Sequence, residues 1–238
     1  MTVEVLFGEV ANLCGDHQNM TYLRQSAPNA RFVETSFLDT PYFAENDPDF
    51  IYMGAMTEDF QRRIIEKLRP YKERLLELAQ KGTVMLFTGN AGETLFSKIS
   101  YVTEEKETEG LGIFDLTVKT DLFNRYNGKN LGSLAGEDKE KAGLISGFRS
   151  QFSRWYGNNE KNAFLNVIKG MGLNESSSLE GVRLNNLICT SIIGPILPLN
   201  PLFTEYLMRL AGCEDKAAHR EAAVAAWEER VKEMEMYL

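Results

Sequence analysis

Histidine is almost absent from this chain: His17 and His219 are the only two in 238 residues. With no clustered Asp or Glu beside them they build no catalytic metal site, and no metal or other cofactor is expected. Cysteine is scarce too. Cys14, Cys189 and Cys213 form an odd, widely spaced set. That spacing excludes a disulfide framework and a Cys-based zinc site. It points instead to a reduced cytoplasm. A basic excess is missing, since 26 Lys and Arg stand against 34 Asp and Glu, a formal net charge of −8. Binding a phosphate backbone needs concentrated Lys and Arg, so no nucleic-acid partner is expected. A long apolar run is missing as well. The most apolar stretch, Leu187 to Phe203, is broken by Pro195, Pro198, Asn200 and Pro201, which rules it out as a membrane span. The first seven residues lack the basic segment and apolar core of a signal peptide. Internal repeats and low-complexity linkers are lacking, so residues 1–238 are read as one domain.

The first hundred residues alternate between strand and helix signals. Val3 to Phe7, Ala30 to Phe37, Asp49 to Gly54 and the run from Val84 are apolar and β-rich. Between them, Met20 to Gln25 suits a short helix. Thr57 to Lys81 suits a longer one, with an acid-rich start at Glu58 and Asp59, a break at Pro70 and a stop at Gly82. This order predicts a mainly parallel sheet covered on both faces, with ligands held beyond the carboxyl ends of its strands. In the second half, Gly110 to Lys119, Leu144 to Phe148 and Val182 to Ile193 are expected as strands in hairpins. Glu104 to Glu109 is expected as a charged surface loop, and Asn127 to Lys141 as a mobile one. Pro201 to Ala211 and Lys216 to Tyr237 are expected as closing helices.

The centre of the chain is Val84-Met85-Leu86-Phe87-Thr88-Gly89-Asn90-Ala91-Gly92-Glu93. An apolar run ends in a small-residue turn, and Thr94-Leu95-Phe96 can begin a helix. A strand, a sharp turn and a helix start are the parts of a nucleophile elbow. The tip, however, carries neither Cys nor Ser.

Several motifs in order resemble the class I glutamine amidotransferase-like family of the cobyric acid synthase (CobB/CobQ) type, and within it the GatD-like subunits. Asn12-x-Cys14-Gly15-Asp16-x-x-Asn19 is similar to the family's N-x-Y-G-D-x-x-N. Tyr52-Met53-Gly54 to Gln61 resembles the segment with a Gly run before D-x-x-Q. Gly110-Leu111-Gly112-Ile113-Phe114-Asp115 matches closely. Gly147-Phe148-Arg149-Ser150-Gln151 is similar to G-F-E-N-H. Glu180-Gly181-Val182 with Gly194-Pro195-Ile196-Leu197-Pro198-Leu199-Asn200-Pro201 resembles E-G-V and H-G-P-L-L-P-x-N-P. The resemblance implies a flavodoxin-like three-layer α/β sandwich, its central mainly parallel sheet extended by antiparallel strands in the C-terminal half. It also implies glutamine as ligand and a Mur-ligase-like partner subunit, in cell-wall (lipid II) or cobalamin-type amidation.

The departures fall on the family's chemistry. Its elbow is C-G-G-Y-Q, which places Gly89 at the Cys, Asn90 and Ala91 at the two Gly, and Glu93 at the Gln. A slip of one residue would place Thr88 at the Cys instead. The family His precedes Gly-Pro, where this chain has Ile193. Glutamine hydrolysis needs a nucleophile, a proton carrier and donors for the oxyanion. Two of these are missing. Thr88 could serve as nucleophile only with a base, and its ordinary role is a hydroxyl capping the next turn. Glu93 is expected as a surface acid near a helix start. Cys14 and Cys189 are expected as packed thiols, and His17 and His219 as exposed. Gly54, Gly89, Asn90, Arg149 and Gln151 are the expected substrate-binding positions. Arg149, Arg154 and Trp155 together could face an acidic or planar ligand.

Three functions are therefore expected in this order. The first is a catalytically degenerate binding or partner subunit. The second is an amidotransferase or amidohydrolase using another nucleophile such as Thr88. The third is a non-catalytic glutamine sensor.

Overall fold

The computed structural model describes residues 1–103, 107–136 and 141–237. The chain opens with β1 (Thr2–Leu6), α1 (His17–Ser26), β2 (Arg31–Thr35), β3 (Phe50–Met53), α2 (Glu58–Leu68), α3 (Lys72–Lys81) and β4 (Val84–Thr88). A 3-10 segment, Gly89–Leu95, leads to β5 (Phe96–Tyr101), β6 (Glu107–Glu109), β7 (Phe114–Thr120), β8 (Tyr126–Leu134), β9 (Leu144–Gln151) and β10 (Ser153–Tyr156). The remainder is β11 (Leu165–Lys169), β12 (Leu179–Glu180), β13 (Val182–Leu184), β14 (Leu187–Thr190), α4 (Ile196–Leu199), α5 (Pro201–Leu210) and α6 (Arg220–Tyr237).

The main sheet runs β13-β14-β4-β3-β1-β2. Its pairs are parallel except β13 with β14. The central strands β3 and β4 are buried at every residue, as a sheet covered on both faces requires. Side chains alternate between the faces with period two. Ile51, Met53, Met85, Phe87 and Cys189 join the cluster that takes Ile64, Ile65 and Leu68 of α2 and Leu75 and Leu78 of α3. Val3, Val5, Tyr52, Leu86 and Ile188 face the other way, onto Met20 and Leu23 of α1 and Phe203 and Leu207 of α5. The result is a mixed α/β sandwich. Thr57 caps α2 by accepting from Phe60 N at 3.4 Å. Pro70 sits in the short 3-10 turn between α2 and α3, so the long helical stretch is two helices.

One antiparallel strand, β13, extends the main sheet. β14 pairs parallel with β4 in that sheet, and strands β5 to β12 form two further sheets, β10-β7-β5-β6 and β12-β11-β8-β9. β9 reaches the main layer through a bridge between Phe148 and Ile193, and so brings its end to the carboxyl edge of β4 and β14.

Three local expectations are corrected. Thr94-Leu95-Phe96 does not begin an α-helix: the elbow runs through 3-10 turns straight into β5. Phe96 pairs with Phe114 in the β5–β7 ladder, and its ring packs edge-on against Trp155 at 4.7 Å. That burial outweighs the local helical preference. Asn127 to Leu134 is not a loop but most of β8, paired residue by residue with β9 as far as Ser133, with Leu134 opposite Leu165 of β11. Residues 137–140 of that expected loop lie outside the described residues. So do 104–106 of the expected charged loop, whose Glu107–Glu109 pairs with β5 as an edge strand.

Candidate functional site

A small cleft of about 160 Å³ lies beyond the carboxyl ends of β3, β4 and β14, where open α/β sheets place their ligands. Its walls come from several elements, among them the start of α2 with Glu58 and Gln61 and the loop after β14 with Ser191 and Ile193. Leu13 and Cys14 belong to the turn before α1, and Ala55 and Met56 to the loop after β3. Gly89, Asn90 and Glu93 come from the elbow. Arg125 precedes β8, and Ser150, Gln151 and Ser153 mark the end of β9 and start of β10. The volume equals about five waters' share of liquid, enough for a small metabolite and too little for a drug-sized ligand.

Gly89 stands at the apex with φ +59°, the left-handed conformation that a sharp strand-to-helix turn imposes on its nucleophile and that Gly adopts without strain. A Cβ built there would lie 2.8 Å from Ala55 Cβ and 3.4 Å from Ile193 Cγ2. The two positions that the resemblance pairs as thiol and proton carrier are thus neighbours in space. Both are apolar. Ile193 is buried, with its backbone bonded to Phe148 in both directions at 2.8 and 3.1 Å. Gly54 is not itself a wall of the cleft. It lets β3 pass Ala11, whose carbonyl oxygen would lie 2.5 Å from any Cβ.

Thr88 is the last residue of β4 and faces away from the cleft. It is fully buried. Its hydroxyl donates to Asp16 Oδ2 at 2.7 Å, and Tyr52 Oη lies 3.1 Å from its oxygen. Ala55 N donates to the same carboxylate oxygen at 2.9 Å. Asn19 Nδ2 donates to Tyr52 Oη at 2.8 Å, and Asn19 Oδ1 accepts from Leu197 N at 2.8 Å. A base for Thr88 therefore exists in Asp16. Access does not, because Thr88 is not among the residues lining the cleft, and a nucleophile must touch its substrate.

Burial pushes the Asp16 carboxyl from 3.8 up to about 6, against the lowering by its bonds from Thr88, Ala55 and Tyr52. The folded state then holds this proton more tightly than the unfolded chain does. The stabilisation this gives is full below about pH 4 and is lost as pH rises through about 6, by up to roughly 3 kcal/mol. Urea unfolding at pH 4 to 7 should show wild type losing stability over this range more steeply than Asp16→Asn. Parallel pH profiles for the two proteins would contradict it.

Glu93 is not a surface acid. It is buried, and its carboxylate accepts from Gln61 Nε2 at 2.8 Å, from Trp155 Nε1 at 2.8 Å and from the Ser153 hydroxyl. Burial nevertheless pushes its pKa up. Three donors thus hold its two oxygens, and Glu93 ties the elbow to α2 and β10. Gln61 adds a bond to Asn90 O at 2.7 Å, pinning the turn from the side of α2.

Arg149, Arg154 and Trp155 are not among the lining residues. The Arg149 guanidinium is fully buried and donates to the carbonyls of Met171 and Gly172. Arg154 pairs with Glu175 at 2.5 Å, and Trp155 is core. Gln151 does line the cleft, with Nε2 donating to Ser153 O at 2.7 Å. Cys14 is not packed away: it is exposed, in a left-handed turn at φ +59°, and lines the cleft. Cys189 is buried and Cys213 half-buried. His17 and His219 are both exposed. Among the described residues, no group of three or more His, Cys, Asp or Glu is placed to hold a metal, and no helix is long and apolar enough to cross a membrane.

The residue that sequence reasoning passed over is Arg125, the one cation among the described residues lining the cleft. Its guanidinium lies 5.0 Å from the Phe152 ring centroid. It falls in a stretch beside Asn127 that reads as plain loop, and only the pairing of β8 with β9 carries it to the elbow.

No profile of a known protein family matches the chain. Among curated proteins it is 28 % identical over 219 residues to the lipid II isoglutaminyl synthase (glutamine-hydrolyzing) subunit GatD of Staphylococcus aureus (strain N315), covering 91 % of this chain and 86 % of that one. It is 24 % identical to the corresponding subunit of Streptococcus pneumoniae (strain ATCC BAA-255 / R6), over 84 % of this chain and 76 % of the other. Among solved structures, one described as a glutamine amidotransferase superposes with a TM-score of 0.57 at 15 % identity, covering 88 % of this chain and 98 % of that one. That likeness is one of fold. Sequence relatives and fold agree: over most of its length the chain is similar to the GatD subunits, and it has the fold of a solved glutamine amidotransferase.

Proposed function

We propose that this chain is a GatD-like subunit that has kept the amidotransferase scaffold and its cleft but does not hydrolyse glutamine, and that it works by binding a small ligand and a Mur-ligase-like partner. The observation that carries this reading is the apex of the elbow. Gly89 has no nucleophile, Ile193 beside it moves no proton, and Ala55 fills the space that a nucleophile's Cβ would need. In a catalytic unit of this kind, loss of one member already costs about 10⁴–10⁶ in rate. A partner is supported by the relatives, which are named as subunits of a synthase, and its Mur-ligase-like kind is what the family resemblance implies. Arg125 offers the cleft's positive charge, so a carboxylate-bearing ligand fits best.

Co-expression with the Mur-ligase-like protein of the same organism tests the partner. A complex that survives size-exclusion chromatography is expected; two separate peaks at micromolar concentration would contradict it. The contact of Thr88 with Asp16 favours one rival, an enzyme that uses the Thr88 hydroxyl. Its support is the hydrogen bond alone, against a hydroxyl with no exposed surface. Activity abolished in Thr88→Ala but retained by wild type would favour that rival.

A further inference from the structure

In elbows of this kind the developing negative charge is held by two N–H groups. One belongs to the residue after the nucleophile, the other to the loop after a neighbouring strand. Here that loop offers the N–H groups of Ala55 and Met56. Both are taken from within. Ala55 N donates to Asp16 Oδ2 at 2.9 Å, and Met56 N donates to Asn90 Oδ1 at 2.9 Å. Asn90 Nδ2 then donates to Met56 O at 2.8 Å. The Asn90 side chain thus closes a two-bond ring with the backbone N–H and C=O of one residue of the cleft wall, Met56. This is the pattern of donor and acceptor that a ligand's primary carboxamide would make there. Gln61 holds the Asn90 carbonyl at 2.7 Å and keeps the residue in place.

We propose that Asn90 is a built-in occupant of the carboxamide end of the cleft, and that it sets specificity by excluding ligands whose amide must reach Met56. The inference rests on the reading of the chain as a non-hydrolytic binding subunit. A ligand amide gains nothing at Met56 unless Asn90 leaves, and Asn90 leaves only by breaking both bonds. A ligand held by Arg125 through a carboxylate, with no amide at its other end, meets no such competition. The internal amide also costs no translational entropy to bind, so it outcompetes a free one at equal contacts. Two neutral hydrogen bonds at stake translate into roughly 10- to 30-fold in affinity.

Isothermal titration calorimetry with L-glutamine and L-glutamate as probes, on wild type, Asn90→Gly and Asn90→Ala, tests this directly. Two variants are used because one could unfold, and the melting transition of each is recorded first. The expected result is glutamine binding at least tenfold tighter in a folded variant than in wild type. Glutamate binding should change less than threefold. Folded variants that bind glutamine no tighter than wild type, or not at all, would overturn the proposal. Ammonia release is followed in the same samples. Turnover by wild type would remove the non-hydrolytic reading, whereas an unchanged glutamine affinity in the variants would remove the role of Asn90.

Discussion

Gly89→Cys is expected to destabilise the protein by about 2–4 kcal/mol and to create no glutaminase. The new Cβ would meet Ala55 Cβ at 2.8 Å, a contact that forces the loop after β3 to shift. Overpacking of this kind costs about 1–3 kcal/mol. A left-handed φ of +59° adds of order 1 kcal/mol once the residue is no longer Gly. The thiol would then face Ile193, which accepts no proton, so no thiolate forms by transfer to a neighbour. Ala55→Gly in the same chain removes the overlap. A double-mutant cycle should therefore show Gly89→Cys and Ala55→Gly coupled by about 1–2 kcal/mol, with the pair more stable than additivity allows. Urea unfolding of the four proteins measures it. Additive effects, or a Gly89→Cys protein as stable as wild type, would show that Ala55 does not fill the nucleophile's place.

Glu93→Ala carries the second large effect, a loss of about 3–5 kcal/mol. Its buried carboxylate receives Gln61, Ser153 and Trp155 at the inner wall of the cleft. Truncation strands those donors and leaves a cavity, and each stranded buried donor costs about 1–3 kcal/mol. Glu93→Gln should lose less. It retains one carbonyl oxygen for Trp155 or Ser153 and sets an amide NH2 against that of Gln61. The contrast is with a surface acid: an exposed ion pair such as Arg69 with Glu66 is screened by water and adds little to stability. Thermal melts of Glu93→Ala beside Glu66→Ala measure the difference. Equal, small shifts for both would place Glu93 outside the core.

The strands that build the floor of the cleft were legible because they are continuous apolar runs ended by Gly or a polar turn, as Phe50–Met53 and Val84–Thr88 are. The helices were legible from an acid-rich start at Glu58 and Asp59 and a stop at Gly82. β8 was not. Asn127, Gly128, Lys129 and Asn130 are poor strand formers by propensity, and only the eight-residue ladder with β9 makes them a strand. The same blindness hid Arg125. Distance in sequence also misled the assignment of charge. Glu93 lies near a turn and reads as solvated, yet Gln61, Ser153 and Trp155, 32 to 62 residues away, close over it. Arg149 reads as a ligand contact from its place after Gly147-Phe148, yet β9 turns its guanidinium onto Met171 and Gly172. The place of the elbow could be read from one segment, while its occupants could not, because each is delivered by a different part of the chain.

Ammonia release from glutamine is the measurement that bears most directly on the proposed absence of hydrolysis. It is made on the purified chain alone and together with the proposed Mur-ligase-like partner. Release indistinguishable from buffer in both samples is the expected result, with a glutamine-hydrolysing GatD as the positive control. Partner-dependent release above background, abolished by Thr88→Ala or by a partner mutation, would show that the nucleophile has been replaced and not lost.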